Sequence, residues 1–146
     1  MIILASEDIG NANPTALILA NNTFEAAEKI GYPEARILLS QCAVYLACSP
    51  KSNASYLAID AAIAAVQQTG DASVPLHLRN APTRLMKNEG YGKDYLYAHA
   101  HPGNFIDQEF LPDELKGSKF YEPGQNPREE EMRQWLKNRW KDKYNY

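Results

Sequence analysis

Three apolar segments follow one another in the first half of the sequence, and each is bounded by residues that begin or end helices. They occupy residues 13–31, 32–50 and 52–70. Asn13-Pro14 suits the start of a helix, because asparagine caps a helix and proline fits its first turn, and Gly31 suits its end. The same kinds of signal recur at both ends of the other two segments. This repeated pattern predicts three consecutive helices and therefore an all-α fold, a helical bundle.

The three segments differ in how their apolar residues are distributed. In the first, apolar residues at steps of three and four predict an amphipathic helix; they are Leu17, Ala20, Phe24 and Ala27. The second segment is apolar on nearly all sides, which is typical of a helix in the middle of a bundle or at a subunit contact. The third contains alanines that allow close helix approach, and one larger apolar face formed by Tyr56, Ile59, Ile63 and Val66.

The second half of the chain is less regular. From Val74 to Asn126 it is rich in proline, glycine, tyrosine and histidine. We expect a short helix from about residue 80 to Lys87 and a C-terminal helix from Asn126-Pro127 to Lys141. Residues 91–125 show no sustained period, so we expect a long irregular arm with turns or very short strands, pinned by aromatic anchors. The anchors are Tyr91, Tyr95, Tyr97, Phe105, Phe110, Phe120 and Tyr121.

The chain length indicates one domain with two parts. With 146 residues, the chain fits a single ordinary core. We expect residues 1–72 to form a helical core and residues 73–146 to form a wrapping segment and C-terminal helix of the same domain. Because Met1 to Ala5 is apolar with no capping residue ahead of it, we also expect the chain to be a fragment of a longer protein.

Composition excludes several classes of protein. The chain is 45% hydrophobic and 23% charged, which excludes wholesale disorder, and its net charge of −3 gives no global attraction to nucleic acid or anionic lipid. No apolar run approaches the ~20 residues that cross a bilayer, and Met1 to Gly10 lacks the basic start and long apolar stretch of a signal peptide. We therefore expect a cytoplasmic protein without membrane contact. Cys42 and Cys48, on one predicted helix, are expected to be reduced core thiols.

Residues able to carry catalysis are few. There is no glycine-rich phosphate loop, no nucleophile elbow and no H-E-x-x-H metal motif in the sequence. His99 and His101 could offer two imidazoles to a metal, but the preferred interpretation is that these rings and His77 form loop hydrogen bonds or pack on tyrosines. Glu7 and Asp8 could in principle do acid–base work, as in a small hydrolase, although no partner group is placed beside them.

We prefer a structural role for the string Ser6-Glu7-Asp8-Ile9-Gly10. A carboxylate near a helix end can accept hydrogen bonds from backbone amides or from an arginine. Gly10 would permit a turn that other residues resist.

Residues 77–97 combine cations with aromatic rings, as single-strand-binding sites do. Cations pair with phosphates, and bases stack on the rings. The nucleic-acid candidates are Arg79, Arg84, Lys87, Tyr91 and Lys93. Glu89 and Asp94 dilute the positive charge, so a solvated or intersubunit surface is the competing interpretation.

Five strings, in the same order along the chain, together resemble the C-terminal region of the RarA/MgsA family. They span Ile3 to Ala12, Pro50 to Asn53, Pro75 to Thr83, Gly90 to Lys93 and Leu111 to Leu115. The members of this family are AAA+ ATPases associated with replication, and they are relatives of the clamp loaders and of the eukaryotic Werner-helicase-interacting ATPase. The resemblance runs from about Ile3 to Pro123.

The resemblance implies a helical domain similar to the clamp-loader C-terminal collar, whose role is to hold subunits together as a homotetramer. The ATP and Mg²⁺ sites of such a protein lie N-terminal to this region. We therefore expect no catalytic, cofactor-binding or metal-binding residue in this chain. The parent protein is expected to be an ATPase that acts in DNA replication, recombination and repair at stalled forks, with DNA and replication proteins as partners.

Two functions remain open at the level of sequence. The first is an oligomerisation domain, for which the candidate interface residues, chosen by helical face, are Phe24, Ile37, Val44, Tyr45, Tyr56 and Ile63. The second is a module that binds DNA or a replication protein through residues 77–97.

Overall fold

The computed structural model describes all 146 residues and contains helices and turns but no strand. Its α-helices are α1 (Ile2–Leu4), α2 (Thr15–Ile30), α3 (Ala35–Ala47), α4 (Ala54–Thr69), α5 (Arg84–Asn88) and α6 (Pro127–Trp140). A π-helical turn (Ala5–Ile9) and a 3₁₀ turn (Gly10–Ala12) join α1 to α2. The all-α prediction is confirmed, and the three long helices of the first half begin and end close to the expected residues.

The chain divides into two compact units. One contains Met1–Ala61 and Phe120–Trp135, and the other contains Ala62–Lys119 and Leu136–Tyr146. The predicted division after residue 72 into a core and a wrapping segment remains a prediction.

The buried core of the first unit is built largely from small residues. It joins the turn after α1 to α2 and α3, and it contains Ala5, Ile9, Ala16, Ala20, Cys42 and Leu46. Only Ile9 and Leu46 are large among these. Alanines at such positions let backbones approach closely, but they leave little apolar area to bury.

Helix α2 turns a different face to the core than its large apolar residues predict. The buried residues are Ala16, Ala20 and Thr23, whereas Leu17 is 41% exposed and Phe24 is 54% exposed. The predicted face, which began at Leu17, is therefore displaced by about one residue. The physical reason is close packing, because small side chains at 16 and 20 fit against α3 where leucine and phenylalanine would hold the helices apart.

Two further local predictions are corrected. The side-chain amide of Asn13 does not cap α2; it donates to Tyr45 Oη at 3.1 Å and to Ser49 Oγ at 3.0 Å. Both cysteines are free thiols, but only Cys42 is a core thiol, because Cys48 lies beyond the last turn of α3 and is exposed.

In the second unit, a 3₁₀ turn at Leu76–Leu78 precedes α5, and the arm contains further short 3₁₀ turns at Ala98–Ala100, Pro102–Asn104 and Asp113–Leu115. Trp140, at the end of α6, packs edge-on against Phe105, Phe110 and Tyr144. These contacts confirm Phe105 and Phe110 as anchors. Tyr95 and Tyr97 are 57% and 60% exposed, so the expectation that they pin the arm is wrong.

Candidate association surface and basic segment

The candidate interface residues are mostly exposed in the single chain. Their exposed fractions are 54% for Phe24, 58% for Ile37, 60% for Val44, 44% for Tyr56 and 49% for Ile63. Large apolar side chains singly exposed are ordinary, but here they recur on three successive helices. Leu17, Ile18, Ile30, Leu57, Ile59 and Val66 on the same helices are also exposed.

Tyr45 differs from the other five candidates. It is half-buried against the core, and its hydroxyl both accepts from the Asn13 side chain and donates to it. A change at Tyr45 would disturb the fold itself, so this residue cannot report on an interface alone.

Helix α3 lies at the surface and not in the middle of a bundle. Its buried residues are Ala35, Cys42 and Leu46, while Ile37 and Val44 point away from them. The interpretation that α3 lies in the middle of a bundle does not agree with this exposure, and its role as a subunit contact remains a prediction.

A network within the first unit holds the start of α4, and its central contact involves Gly10. Gly10 has φ +49°, and a Cβ there would lie 2.7 Å from the Ser52 carbonyl oxygen. Ser52 N–H in turn donates to the Asp8 carbonyl at 2.8 Å, and Asn11 Nδ2 donates to Ser55 Oγ at 3.1 Å. The turn after α1 is thus fixed against the start of α4, and the structural interpretation of Gly10 is confirmed.

Glu129 joins the start of α6 to the same region, and the sequence-based candidates do not include it. The residue has 0% exposure, although buried glutamates are rare. Tyr121 Oη donates to its Oε1 at 2.8 Å, and the Asn126 amide donates to its Oε2. A sequence signal existed, because Asn126 and Glu129 have the spacing of a capping box, and Glu129 N–H donates to Asn126 Oδ1 at 3.0 Å.

The hydrogen bonds decide the charge state of Glu129. Burial alone would raise the pKa of this carboxyl, but hydrogen bonds from Ser52, Asn126, Tyr121 and Gly124 hold the pKa below the ordinary 4.5. Burial and the neighbouring carboxylate raise the pKa of Tyr121 to about 12, so the phenol remains a donor. Glu129 is therefore a buried anion that crosslinks residues distant in sequence.

Within the second unit, Arg79 and Tyr91 bind each other. The Arg79 guanidinium lies 5.1 Å from the centre of the Tyr91 ring, donates to its hydroxyl at 3.3 Å and also donates to the Val74 carbonyl. Gly92 N–H donates to the Leu76 carbonyl at 2.8 Å, which closes the loop. Both side chains thus have local structural partners and are half-buried, and their role in nucleic-acid binding remains a prediction.

The remaining basic candidates are exposed. Arg84 and Lys87 lie on α5, whose first turn is capped by Thr83 Oγ1, and Lys93 lies in the turn that follows. The exposed aromatic rings of this segment are Tyr95 and Tyr97. Tyr91, which is half-buried, stays a candidate for stacking beside these two rings.

Two of the three histidines have structural contacts. His77 Nε2 lies 3.0 Å from the Glu109 carbonyl oxygen, and the His99 ring packs on Tyr97 at 5.3 Å. Both contacts agree with the loop and packing roles expected from sequence. A shallow cleft adjoins His77, Lys93 and Glu109, and Lys143 pairs with Glu109 at 3.5 Å.

Comparison with known proteins shows the family of this chain. Residues 1–140 match the family model described as MgsA AAA+ ATPase C terminal. The chain belongs to this family. The resemblance identified from five short strings is confirmed, and the chain is a C-terminal domain of replication-associated AAA+ ATPases.

Individual relatives agree. This chain is 50% identical to the replication-associated recombination protein A of Coxiella burnetii, over 84% of this chain and 28% of the relative. It is 43% identical to the protein of the same name from Escherichia coli K12, again over 84% of this chain and 28% of the relative. The ATPase WRNIP1 of Dictyostelium discoideum is 42% identical over 84% of this chain and 14% of its own length.

The chain spans little more than a quarter of the bacterial relatives' length. None of its helices combines the length and apolar character needed to cross a bilayer.

Proposed function

We propose that this MgsA-family domain is an oligomerisation domain that joins copies of its chain. One observation carries the proposal: the core takes small side chains, while large apolar side chains of α2, α3 and α4 remain exposed. A helix whose large residues lie outward is stabilised when another surface covers them.

The magnitude of burial supports this function. Fully burying an isoleucine or phenylalanine is worth about 1.5–3 kcal/mol, so each half-exposed candidate would gain ~1 kcal/mol on association. Five such residues from each copy would together contribute about 10 kcal/mol to a paired contact, which is comparable with the about 4–15 kcal/mol that association costs in lost rotational and translational freedom. The family resemblance implies four copies, and a closed tetramer covers such a surface without leaving free ends.

In this proposal the domain assembles a longer AAA+ ATPase. We assign no ATP, Mg²⁺ or catalytic residue to this chain, and we place ATP hydrolysis in the rest of such a protein. The relatives' names connect them with replication and recombination. Work at stalled forks in the cytoplasm, together with DNA and replication proteins, is part of the proposal for the whole protein.

Val44→Asp tests the oligomerisation function. Because Val44 is 60% exposed, the substitution should leave the fold intact while placing a charge in the interface. We expect a smaller mass by light scattering and an unchanged far-UV circular dichroism spectrum. Tyr45→Asp is the contrasting neighbour, and it should lower the unfolding midpoint. An unchanged mass for Val44→Asp would exclude this part of α3 from the interface.

Binding of single-stranded nucleic acid is a second candidate function. It is favoured by the exposure of Arg84, Lys87 and Lys93 together with the largely exposed rings of Tyr95 and Tyr97. Assembly of several copies would multiply modest contacts into avidity.

Anisotropy of labelled single-stranded DNA at two salt concentrations tests the second function. The triple variant Arg84→Ala, Lys87→Ala, Lys93→Ala should bind more weakly. The slope of its log binding constant against log salt concentration should fall by the contribution of about three counterions. Lys51→Ala, which removes an exposed lysine of the first unit, is the control. Equal binding by the triple variant and the control would remove residues 84–93 from consideration.

A further inference from the structure

Helix α4 is almost devoid of charge, although most of its residues are exposed. Asp60 is its sole charged residue, and Ala54 is its sole buried one. A helix with so little polar surface is unusual on the outside of a protein that has no partner.

The small and large side chains of α4 are separated by face. Ala54 is buried, and Ala58, Ala62 and Ala65, at steps of four, four and three, are half-buried. The large residues follow a separate stripe and are 44–54% exposed; they are Tyr56, Ile59, Ile63 and Val66. The chain's own packing thus uses the alanine face and leaves the large apolar face open.

The spacing of the open stripe matches the repeat of a coiled coil. Its residues are separated by three, four and three positions, which is the a–d repeat of a coiled-coil seam. Tyr56 and Ile63 occupy a positions, and Ile59 and Val66 occupy d positions. Side chains in this repeat pack as knobs into the holes of a facing helix with the same repeat.

Deepening the oligomerisation function on which it rests, we infer that the Tyr56–Val66 stripe of α4 packs against the same stripe of α4 in a second copy of this chain. Charge supports a second copy as the occupant: Asp60 would repel nucleic-acid phosphates, whereas an uncharged stripe is compatible with itself. β-branched residues at both a and d positions also favour assemblies of more than two helices.

The exposed area fits this role. Half of four large side chains amounts to roughly 350 Å² of apolar surface, which is as large as the biggest patch on many monomers. A stable interface buries about 800 Å² on each partner, so the seam alone supplies nearly half of the area that a stable contact needs.

Light scattering of two matched variants tests the seam. Ile63→Asp changes the stripe, and Leu57→Asp changes a residue of the same helix that is 55% exposed but lies off the stripe. We expect at least a twofold loss of mass for Ile63→Asp, with wild-type mass for Leu57→Asp and unchanged helical content for both. Wild-type mass for Ile63→Asp, or equal losses in both variants, would overturn the seam and leave the oligomerisation function standing.

If Ile63→Asp fails to fold, disulfide cross-linking tests whether the α4 stripes of two copies pack against each other. Ile59→Cys and Ile63→Cys are each made with Cys48→Ser, which removes the exposed native thiol. Each variant alone should form disulfide dimers if the helices are parallel, and a mixture of the two should do so if they are antiparallel. No dimer in any sample would overturn the seam. A wild-type chain of single-copy mass would overturn both the seam and the function.

Discussion

Gly10→Ala is expected to destabilise the domain by ~3 kcal/mol or more, one of the two largest effects of a single substitution here. Gly10 has a positive φ, which costs other residues about 1–3 kcal/mol. The new Cβ would also lie 2.7 Å from the Ser52 carbonyl oxygen, and backbone cannot rotate away as a side chain can. Urea unfolding at fixed chain concentration, followed by far-UV circular dichroism, measures the loss.

Gly31→Ala is the matched control for this prediction. Gly31 also has a positive φ, +73°, but nothing lies within 4 Å of the position of its Cβ. Gly31→Ala should therefore show the backbone strain without the clash, and the difference between the variants isolates the contact with Ser52. Equal losses in the two variants would mean that the turn after α1 is not fixed against the start of α4.

Glu129→Ala is expected to cost about 3 kcal/mol, because it leaves buried donors without their acceptor. The Tyr121 hydroxyl and the Asn126 amide both donate to this fully buried carboxylate. Glu131→Ala, an exposed residue of the same helix, should cost little and serves as the control. Similar stability of the two variants would contradict the structural role of Glu129.

The pH dependence of stability tests the same network. The pKa of Glu129 is lowered in the folded state, so the unfolded chain binds its proton more readily. The stability from this group is complete above the ordinary value of 4.5 and is lost as pH falls through the folded pKa. Glu129→Gln should therefore flatten the acid side of the stability curve.

The loss of stability at acid pH should be smaller in Glu129→Gln than in the wild type, but it should not disappear. Although burial opposes it, the pKa of Glu109 is also lowered, by the backbone amides of Leu111 and Phe110 and by Lys143. Parallel acid curves for wild type and Glu129→Gln would show that Glu129 is not held as a buried anion.

The sequence predicted helix bounds better than helix faces. Gly31 and Gly70 end their helices as expected, because a residue with positive φ after the last turn is a local requirement. Which face of α2 is buried depends instead on how closely α3 approaches. Ala20 lies on the predicted face, but Ala16 and Thr23 are buried in place of Leu17 and Phe24, and no single-helix period distinguishes these two pairs.

The candidate sites were predictable to different degrees. Exposed residues such as Val44 could be chosen from an all-apolar helix, but Tyr45 could not be separated from them, since its bond to Asn13 spans 32 positions. Arg79 and Tyr91 both have the chemistry of nucleic-acid binding, and only the fold shows that the two side chains contact each other. Glu129 could be found only in part, because its capping-box spacing to Asn126 is local whereas its bond from Ser52 joins residues far apart in sequence.

The most direct test of the oligomerisation function is the absolute mass of the unmodified chain, measured by size-exclusion chromatography with light scattering over a tenfold range of concentration. Exposed large side chains on α2, α3 and α4 predict a stable assembly, and four copies correspond to four times the chain mass of 16.4 kDa. A constant peak at that mass is the expected result. A peak at the mass of one chain at every concentration would contradict the proposal that this domain assembles its own copies.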